Sequence, residues 1–320
     1  LKGAGMDADL LKGLQTDAHA LAAMLEADKP VGDAEIDPGR ADEYQKKWDT
    51  GTGQLWAIGE HRLLIGDSTV RADVEKVMGG EKADLVFTDP PYNVSSNSRN
   101  YAADGETTKK TYQAIKSSDW DKNFNIKPAL ENINEFAKKD SVAYICTSHF
   151  LIQTIWDWAN QFYKFNSYIV WCKPNPTPSL SKRHWTFATE LIVYATRGKF
   201  TCNFPSRQNF LSFYGYENYP SIELLEFMPE CNYWILNKET HSEEHPTQKP
   251  LKLVYKPIAF SSKPKDIVMD LFLGSGTTMV VCQNLGRRCM AIEKDINWAA
   301  VVLERMSAAF PGIDIRRIDA

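Results

Sequence analysis

The 320-residue chain carries 37 Lys and Arg against 41 Asp and Glu, a formal charge of −4, and it is 43% hydrophobic. That balance supports a sizeable core in one large α/β domain with some decoration, and it excludes a global positive field, so nucleic acid would have to be met by local basic patches. No apolar run approaches membrane-spanning length and no signal-peptide pattern is present, so the chain reads as soluble and cytoplasmic, with no membrane partner. The six cysteines (Cys146, Cys172, Cys202, Cys231, Cys282 and Cys289) show no CxxC pair and no metal-ligand spacing. Four fall in or beside apolar runs, which suits buried free thiols in a reducing compartment. The first residue is Leu1 rather than Met, as expected of a fragment.

Taken in order, residues 7–27 place Leu10, Leu11, Leu14, Ala18, Leu21, Ala22 and Leu25 at helical spacing, and the acidic stretch Asp28 to Trp48, with Pro30 and Pro38, reads as a linker. Residues 1–50 thus form an N-terminal helix and linker ahead of a catalytic domain over 51–320. Leu55 to Ile65 suggests two short strands turning at Gly59-Glu60 and ending at Gly66-Asp67-Ser68. A helix follows, capped by Ser68 or Thr69, with Val70, Val74 and Val77 inward. The apolar run Leu85–Thr88 is a buried strand that stops at Asp89-Pro90-Pro91-Tyr92. Residues 93–125 are polar and aperiodic, and a loop of that length in a compact domain is usually functional or mobile, so it reads as a lid or target-contacting loop.

A helix over 127–138, a strand Val142–Thr147, a helix Phe150–Phe162 and a strand Tyr168–Cys172 come next, with Trp156 and Trp158 expected in the core. Lys173-Pro-Asn-Pro-Thr-Pro178 interrupts the pattern, Lys182 to Trp185 is basic and aromatic, and Glu190–Ala195 gives another strand. Residues 198–245 alternate aromatic and polar groups too irregularly for the main sheet and read as an inserted region. His245-Pro-Thr-Gln-Lys-Pro250 precedes a helix over 251–261. The strand Ile267–Leu271 then enters the glycine turn Gly274-Ser275-Gly276, followed by a helix 277–285, a strand ending at Glu293 and a helix 296–309. Seven strands with helices between most of them argue for a doubly wound sheet.

Two strand ends carry the chemistry. At the first, two prolines forbid continuation of the ladder and stiffen the exit. A carboxylate, a carbonyl with no competing N–H beside it and an aromatic ring then stand together, a set suited to a planar group that bears an amine. At the second, Met279 stands where a dinucleotide fingerprint wants a small residue, and no lysine is placed to grip a triphosphate. Glu293 lies 17 residues beyond Gly276 at the end of the next strand, near where an acid binds ribose hydroxyls. This points to a nucleoside cofactor without a pyrophosphate, and S-adenosylmethionine fits.

Asp89-Pro-Pro-Tyr92, the Asp270 to Thr278 loop and His245 to Pro250 together resemble the beta-class amino DNA methyltransferases of phage and prokaryotic type, over roughly residues 55–310. The resemblance implies a circularly permuted, seven-stranded, Rossmann-like sheet with its last strand antiparallel and a target-recognition insertion at 198–245. It places the strands ending at Asp89 and Asp270 side by side. It assigns the target amine to Asp89, Pro90, Pro91 and Tyr92, and the cofactor pocket to Phe272, Gly274, Ser275, Gly276 and Thr277. Asp270 would meet the methionine end, Thr247 and Lys249 the cofactor carboxylate, Glu293 the ribose and Asp67 the adenine.

The implied reaction is methylation of adenine N6 in specific double-stranded DNA sequences, with the base flipped out of the duplex. Asp rather than Ser at position 89 favours adenine over cytosine N4, the alternative; an inactive DNA-binding module is a further rival. Arg183, Arg197, Lys199 and Arg207 are candidates for DNA contacts. The resemblance also implies a homodimer. No metal is expected, because His241 and His245 lack a completing Cys or acid.

Overall fold

The computed structural model describes residues 32–93, 124–176, 185–199, 232–237 and 249–318. The helix expected over 7–27, almost all of loop 93–125, most of the 198–245 insertion, and Arg183, Arg207 and Thr247 lie outside the described residues. Within the expected linker, α1 (Ala41–Trp48) forms instead. Tyr44 is buried against what becomes the last helix, together with Ala300 and Val301. Lys47 and the Trp48 indole both bond to Glu304 at 2.7 and 2.8 Å. Prolines and acids masked a short amphipathic helix there, because only a partner surface makes eight residues of helix stable.

β1 (Leu55–Ile58) and β2 (His61–Ile65) form the expected hairpin. In α2 (Arg71–Met78) the N-cap is Val70, which is 45% exposed and so does not point inward, while Val74 and Val77 do. Thr69 caps nothing: its N–H and hydroxyl both donate to Asp67 Oδ1. β3 (Ala83–Thr88) leads to the proline corner. After the loop come α3 (Lys127–Phe136), β4 (Ala137–Thr147), α4 (Ile152–Phe162), β5 (Lys164–Cys172), β6 (Thr189–Arg197) and β7 (Tyr233–Ile235). Trp158 joins the core, but Trp156 is 39% exposed. The chain continues through α5 (Leu251–Ser261), β8 (Ile267–Asp270), α6 (Thr277–Leu285), β9 (Arg288–Glu293), α7 (Ile296–Ala309) and β10 (Ile315–Arg317).

All ten strands of the described residues lie in one sheet, in the order β10-β1-β2-β9-β8-β3-β4-β6-β5-β7. The run from β2 to β5 is the expected seven-stranded core. β2, β9, β8, β3 and β4 are parallel to one another. The antiparallel strand of the core is β6, between β4 and β5, rather than the last strand as expected: β9, the last of the seven in the chain, is parallel to both its neighbours. Three short strands (β1, β7 and β10) extend the two edges. Alternation along the central strands feeds two cores. Leu85, Phe87, Val268 and Ala291 pack with α5, α6 and α7 on one face. Val86, Met269, Met290 and Ile292 pack with α2, α3 and α4 on the other. This is a doubly wound sheet, and β3 and β8 stand at its centre.

Candidate active site

β3 and β8 are hydrogen-bonded in parallel, with Leu85 opposite Val268 and Val86 opposite Met269, so their carboxyl ends open side by side. Thr88 at the end of β3 donates its hydroxyl to Asp270 Oδ1 at 2.9 Å. Asp270 Oδ1 also accepts from Phe272 N at 3.1 Å, and Oδ2 accepts from the Thr278 hydroxyl at 2.7 Å. Burial pushes Asp270 up to about 6, against the pull of those hydrogen bonds. Both oxygens of this acid, expected to meet the cofactor, have donors inside the protein, and they tie the two strand ends together.

The turn after β8 needs glycine twice. Gly274 and Gly276 have φ of +57° and +87°, values that side-chain-bearing residues rarely adopt. A Cβ on Gly274 would meet nothing within 4 Å, whereas one on Gly276 would press on Val302 of α7 at 3.2 Å. The turn is therefore backed by the fold at one glycine and open at the other. Glu293, at the end of neighbouring β9, accepts from Gly274 N at 2.7 Å and from Asp295 N at 2.8 Å. Burial raises it to about 7 despite those bonds. The Gly66 N–H donates to the Glu293 carbonyl, which brings Asp67 to the same edge. Burial works against ionisation of Asp67, but the Lys294 ammonium at 2.7 Å and Thr69 outweigh it and hold the carboxyl low.

Ser275 and Thr277 are held from behind. The Ser275 carbonyl and the Thr277 hydroxyl accept from Arg305 Nη1 at 3.0 and 3.3 Å. Arg305 is itself gripped by both oxygens of Asp33, each at 2.8 Å. Phe272 meets Phe124 edge-on with centroids 5.6 Å apart. Asn93, in turn, bonds both backbone groups of Phe124 through its amide, pinning the foot of the expected 93–125 loop beside the site.

The corner after β3 is built differently. Asp89 Oδ2 pairs with Lys249 Nζ at 2.7 Å, while Oδ1 is buried and has no hydrogen-bond partner among the described residues. Lys249 also lies 3.3 Å from Glu190 Oε2 and 5.1 Å from the centre of the Tyr92 ring. Glu190 Oε1 pairs with Lys173 at 2.9 Å, and the Tyr92 hydroxyl donates to Glu190 Oε2 at 3.3 Å. Burial raises the Asp89 carboxyl, opposed by Lys249. Burial would also raise Glu190, but Lys249 and Lys173 outweigh it and bring it down to about 2. For Lys249 the same contest runs the other way: burial lowers it, and Asp89 and Glu190 hold it above its usual range.

Sequence reasoning missed Glu190 and Lys173. Glu190 sits at the start of β6, opposite Trp171, and reaches this edge only because β6 runs antiparallel. The same reversal carries Arg197, at the other end of β6 and opposite Ser141, to the far edge of the sheet. There its guanidinium donates to the carbonyls of Asn134, Ala137 and Lys138. The backbone N–H of Lys199 donates to Asp140 nearby. The structure does not bring these two expected DNA contacts to the site. Among the described residues no cluster of His, Cys, Asp and Glu forms a metal site, and no helix is long and apolar enough to cross a membrane.

The family model for N6/N4 methyltransferases, described as DNA methylase, matches residues 83–304. The Type II methyltransferase M2.DpnII of Streptococcus pneumoniae is 31% identical over 245 residues, 72% of this chain and 85% of that protein. M2.MboI of Moraxella bovis is 29% identical over 242 residues, 71% of this chain and 82% of that protein. Among solved structures, an M1.HpyAVI–SAM complex superposes with a TM-score of 0.51 at 24% identity, over 76% of this chain and 98% of its own. The cytosine-N4-specific PvuII DNA methyltransferase gives 0.52 at 16% identity, over 81% and 94%. At those identities the structural likeness speaks for the fold.

Proposed function

The chain belongs to the N6/N4 family of DNA methylases and is an S-adenosylmethionine-dependent enzyme, and on that premise we propose that its acceptor is the N6 amine of adenine in duplex DNA. One observation carries the reading: Asp89 Oδ1 is a buried carboxylate oxygen with no partner among the described residues. It is one residue from the Pro90 carbonyl, and the next residue is a proline with no N–H of its own.

The residues present suit the cofactor. Glu293 and Asp67 are acids beside a glycine turn whose Gly274 faces open space, which fits a nucleoside bearing ribose hydroxyls. Phe272 adds an apolar wall there, and Lys249 and Thr247 follow from the family resemblance. When bound, the cofactor supplies an electrophilic sulfonium methyl. Asp89 Oδ1 and the Pro90 carbonyl each accept one N–H of the target amine, which turns the nitrogen lone pair away from both. Tyr92 flanks the base. The corner contributes mainly by position, because the amine needs no prior deprotonation. Asp89, raised by burial, is a ready acceptor for the proton shed after transfer. Since Oδ1 lies buried beyond reach of a paired base, the target enters flipped out of the duplex.

Aspartate at 89, where cytosine-N4 enzymes more often carry serine, favours adenine. Target reading falls to residues 198–245 and the 93–125 loop, with Arg183 and Arg207 as candidate contacts. The modification specificity belongs with that of a Type II enzyme, and a homodimer, testable by sedimentation velocity, follows from the same resemblance. The deciding experiment incubates unmethylated duplex DNA with enzyme and cofactor and digests it to nucleosides. N6-methyladenine is expected; N4-methylcytosine alone would overturn the proposal.

A further inference from the structure

We propose that Glu190 and Lys173 are positioning residues of the methyl transfer: they set how firmly the Lys249 ammonium holds Asp89, and so keep one carboxylate oxygen available to the target amine. The inference rests on the assignment of Asp89 as the amine's acceptor. Four charged groups alternate in sign along one line, Lys173, Glu190, Lys249 and Asp89, with successive contacts of 2.9, 3.3 and 2.7 Å. Their charges sum to zero, which is how ions persist at a partly dry edge. Lys173 and Lys249 have side chains only 14% and 10% exposed.

Lys249 stands beside the place an incoming amine would take, on the other oxygen of the same carboxylate. It touches the Asp89 carboxylate and lies over the Tyr92 ring. An ammonium bound only to Asp89 would compete with the target for that carboxylate. Glu190 offers the same cation a second carboxylate, and the Tyr92 hydroxyl bonds to the same oxygen, Oε2. Lys173 occupies the other oxygen of Glu190 and tempers its pull. The length of the Lys249–Asp89 contact is thereby set from β6 and from the residue after β5, neither of which touches the substrate.

Other groups face Asp89 as well. Tyr92 from the same corner and Cys146 from β4 are pushed up by burial and stay neutral near pH 7. Asp270 from β8 senses the Asp89 charge. Among the described residues, then, the charges that can displace the titration of Asp89 are those of Lys249, Glu190, Asp270 and, through Glu190, Lys173.

The test is the pH profile of kcat for transfer of radiolabelled methyl to unmethylated duplex DNA, a readout that holds whichever base is the acceptor; base identity is settled separately by nucleoside analysis. Glu190→Gln leaves Lys249 to Asp89 alone. Asp89 then ionises at lower pH, so the acid limb moves down, while kcat falls about tenfold to a hundredfold through the misplaced acceptor. Because Lys249 is also assigned to the cofactor carboxylate, cofactor affinity is measured alongside by calorimetry and kcat is read at saturating cofactor, so that a change in binding is not mistaken for one in transfer. Lys173→Met has the opposite sign: Glu190, freed of its outer cation, draws Lys249 off Asp89 and the limb moves up. Glu190→Asp keeps the charge and should keep the limb. Limbs displaced in opposite directions support the inference. Two limbs that stay fixed, or move together, overturn it and leave the residues a structural role. If Glu190→Gln fails to fold, Lys173→Met and Glu190→Asp decide the matter: an upward limb in the first with an unmoved limb in the second supports the inference, and any other pair overturns it.

Discussion

Asp270 and Asp89 stand at the ends of neighbouring parallel strands, β8 and β3, and the fold treats the two carboxylates in opposite ways. Asp270 is 3% exposed and receives three hydrogen bonds from Thr88, Phe272 and Thr278. Asp89 has one oxygen on Lys249 and the other without a partner among the described residues. A buried acid whose acceptors are filled by its own chain braces structure. One left with an open acceptor carries a desolvation cost that a ligand can relieve. The contrast separates scaffold from chemistry one strand apart, and substitutions on each side should fail differently.

The largest expected loss of stability comes from the corner's shared cation. Lys249→Met leaves Asp89 and Glu190 facing each other with Lys173 alone to balance them, and should cost about 4 kcal/mol in urea unfolding at pH 7. Next comes Asp270. Its folded value of about 6 lies above the ordinary 3.8, chiefly through burial. The folded state therefore binds the proton more tightly than the unfolded chain. Its contribution is full below about pH 4 and is lost as pH rises through 6. Asp270→Asn, which cannot ionise, should gain about 3 kcal/mol on wild type between pH 4 and pH 7, read from unfolding curves across that range.

The two glycines of the turn sharpen the same division at smaller cost. Gly276→Ala forces a left-handed residue against Val302 and should lower stability by about 2 kcal/mol. Gly274→Ala meets no neighbour. It should cost only about 1 kcal/mol of stability while weakening cofactor binding about tenfold in calorimetry, because the new methyl occupies the open side of the turn. Equal effects at both positions would erase the distinction.

Both strand ends were legible in the sequence because proline and glycine act locally: each fixes its own backbone whatever surrounds it. The partners of Asp270 were not legible. Thr88 is 182 residues away in the chain, and nothing in the run Leu85–Thr88 announces that its last hydroxyl belongs to another strand. Glu190 was hidden for a related reason. An acid at the start of an apolar strand looks like a solvated edge, and only the antiparallel direction of β6 delivers it to the chemistry. That direction also carries Arg197, whose charge suggested a phosphate contact, to the opposite edge, where it closes backbone carbonyls. The helix α1 was lost to composition, since its stability comes from Ala300 and Val301 rather than from its own residues.

The most direct test of the central claim compares Asp89→Ala with wild type in single-turnover methyl transfer and in cofactor binding, on the same preparations. The open-acceptor account predicts transfer slower by about a thousandfold or more, with cofactor affinity within about threefold. A variant that still transfers methyl groups at more than a tenth of the wild-type rate would contradict it.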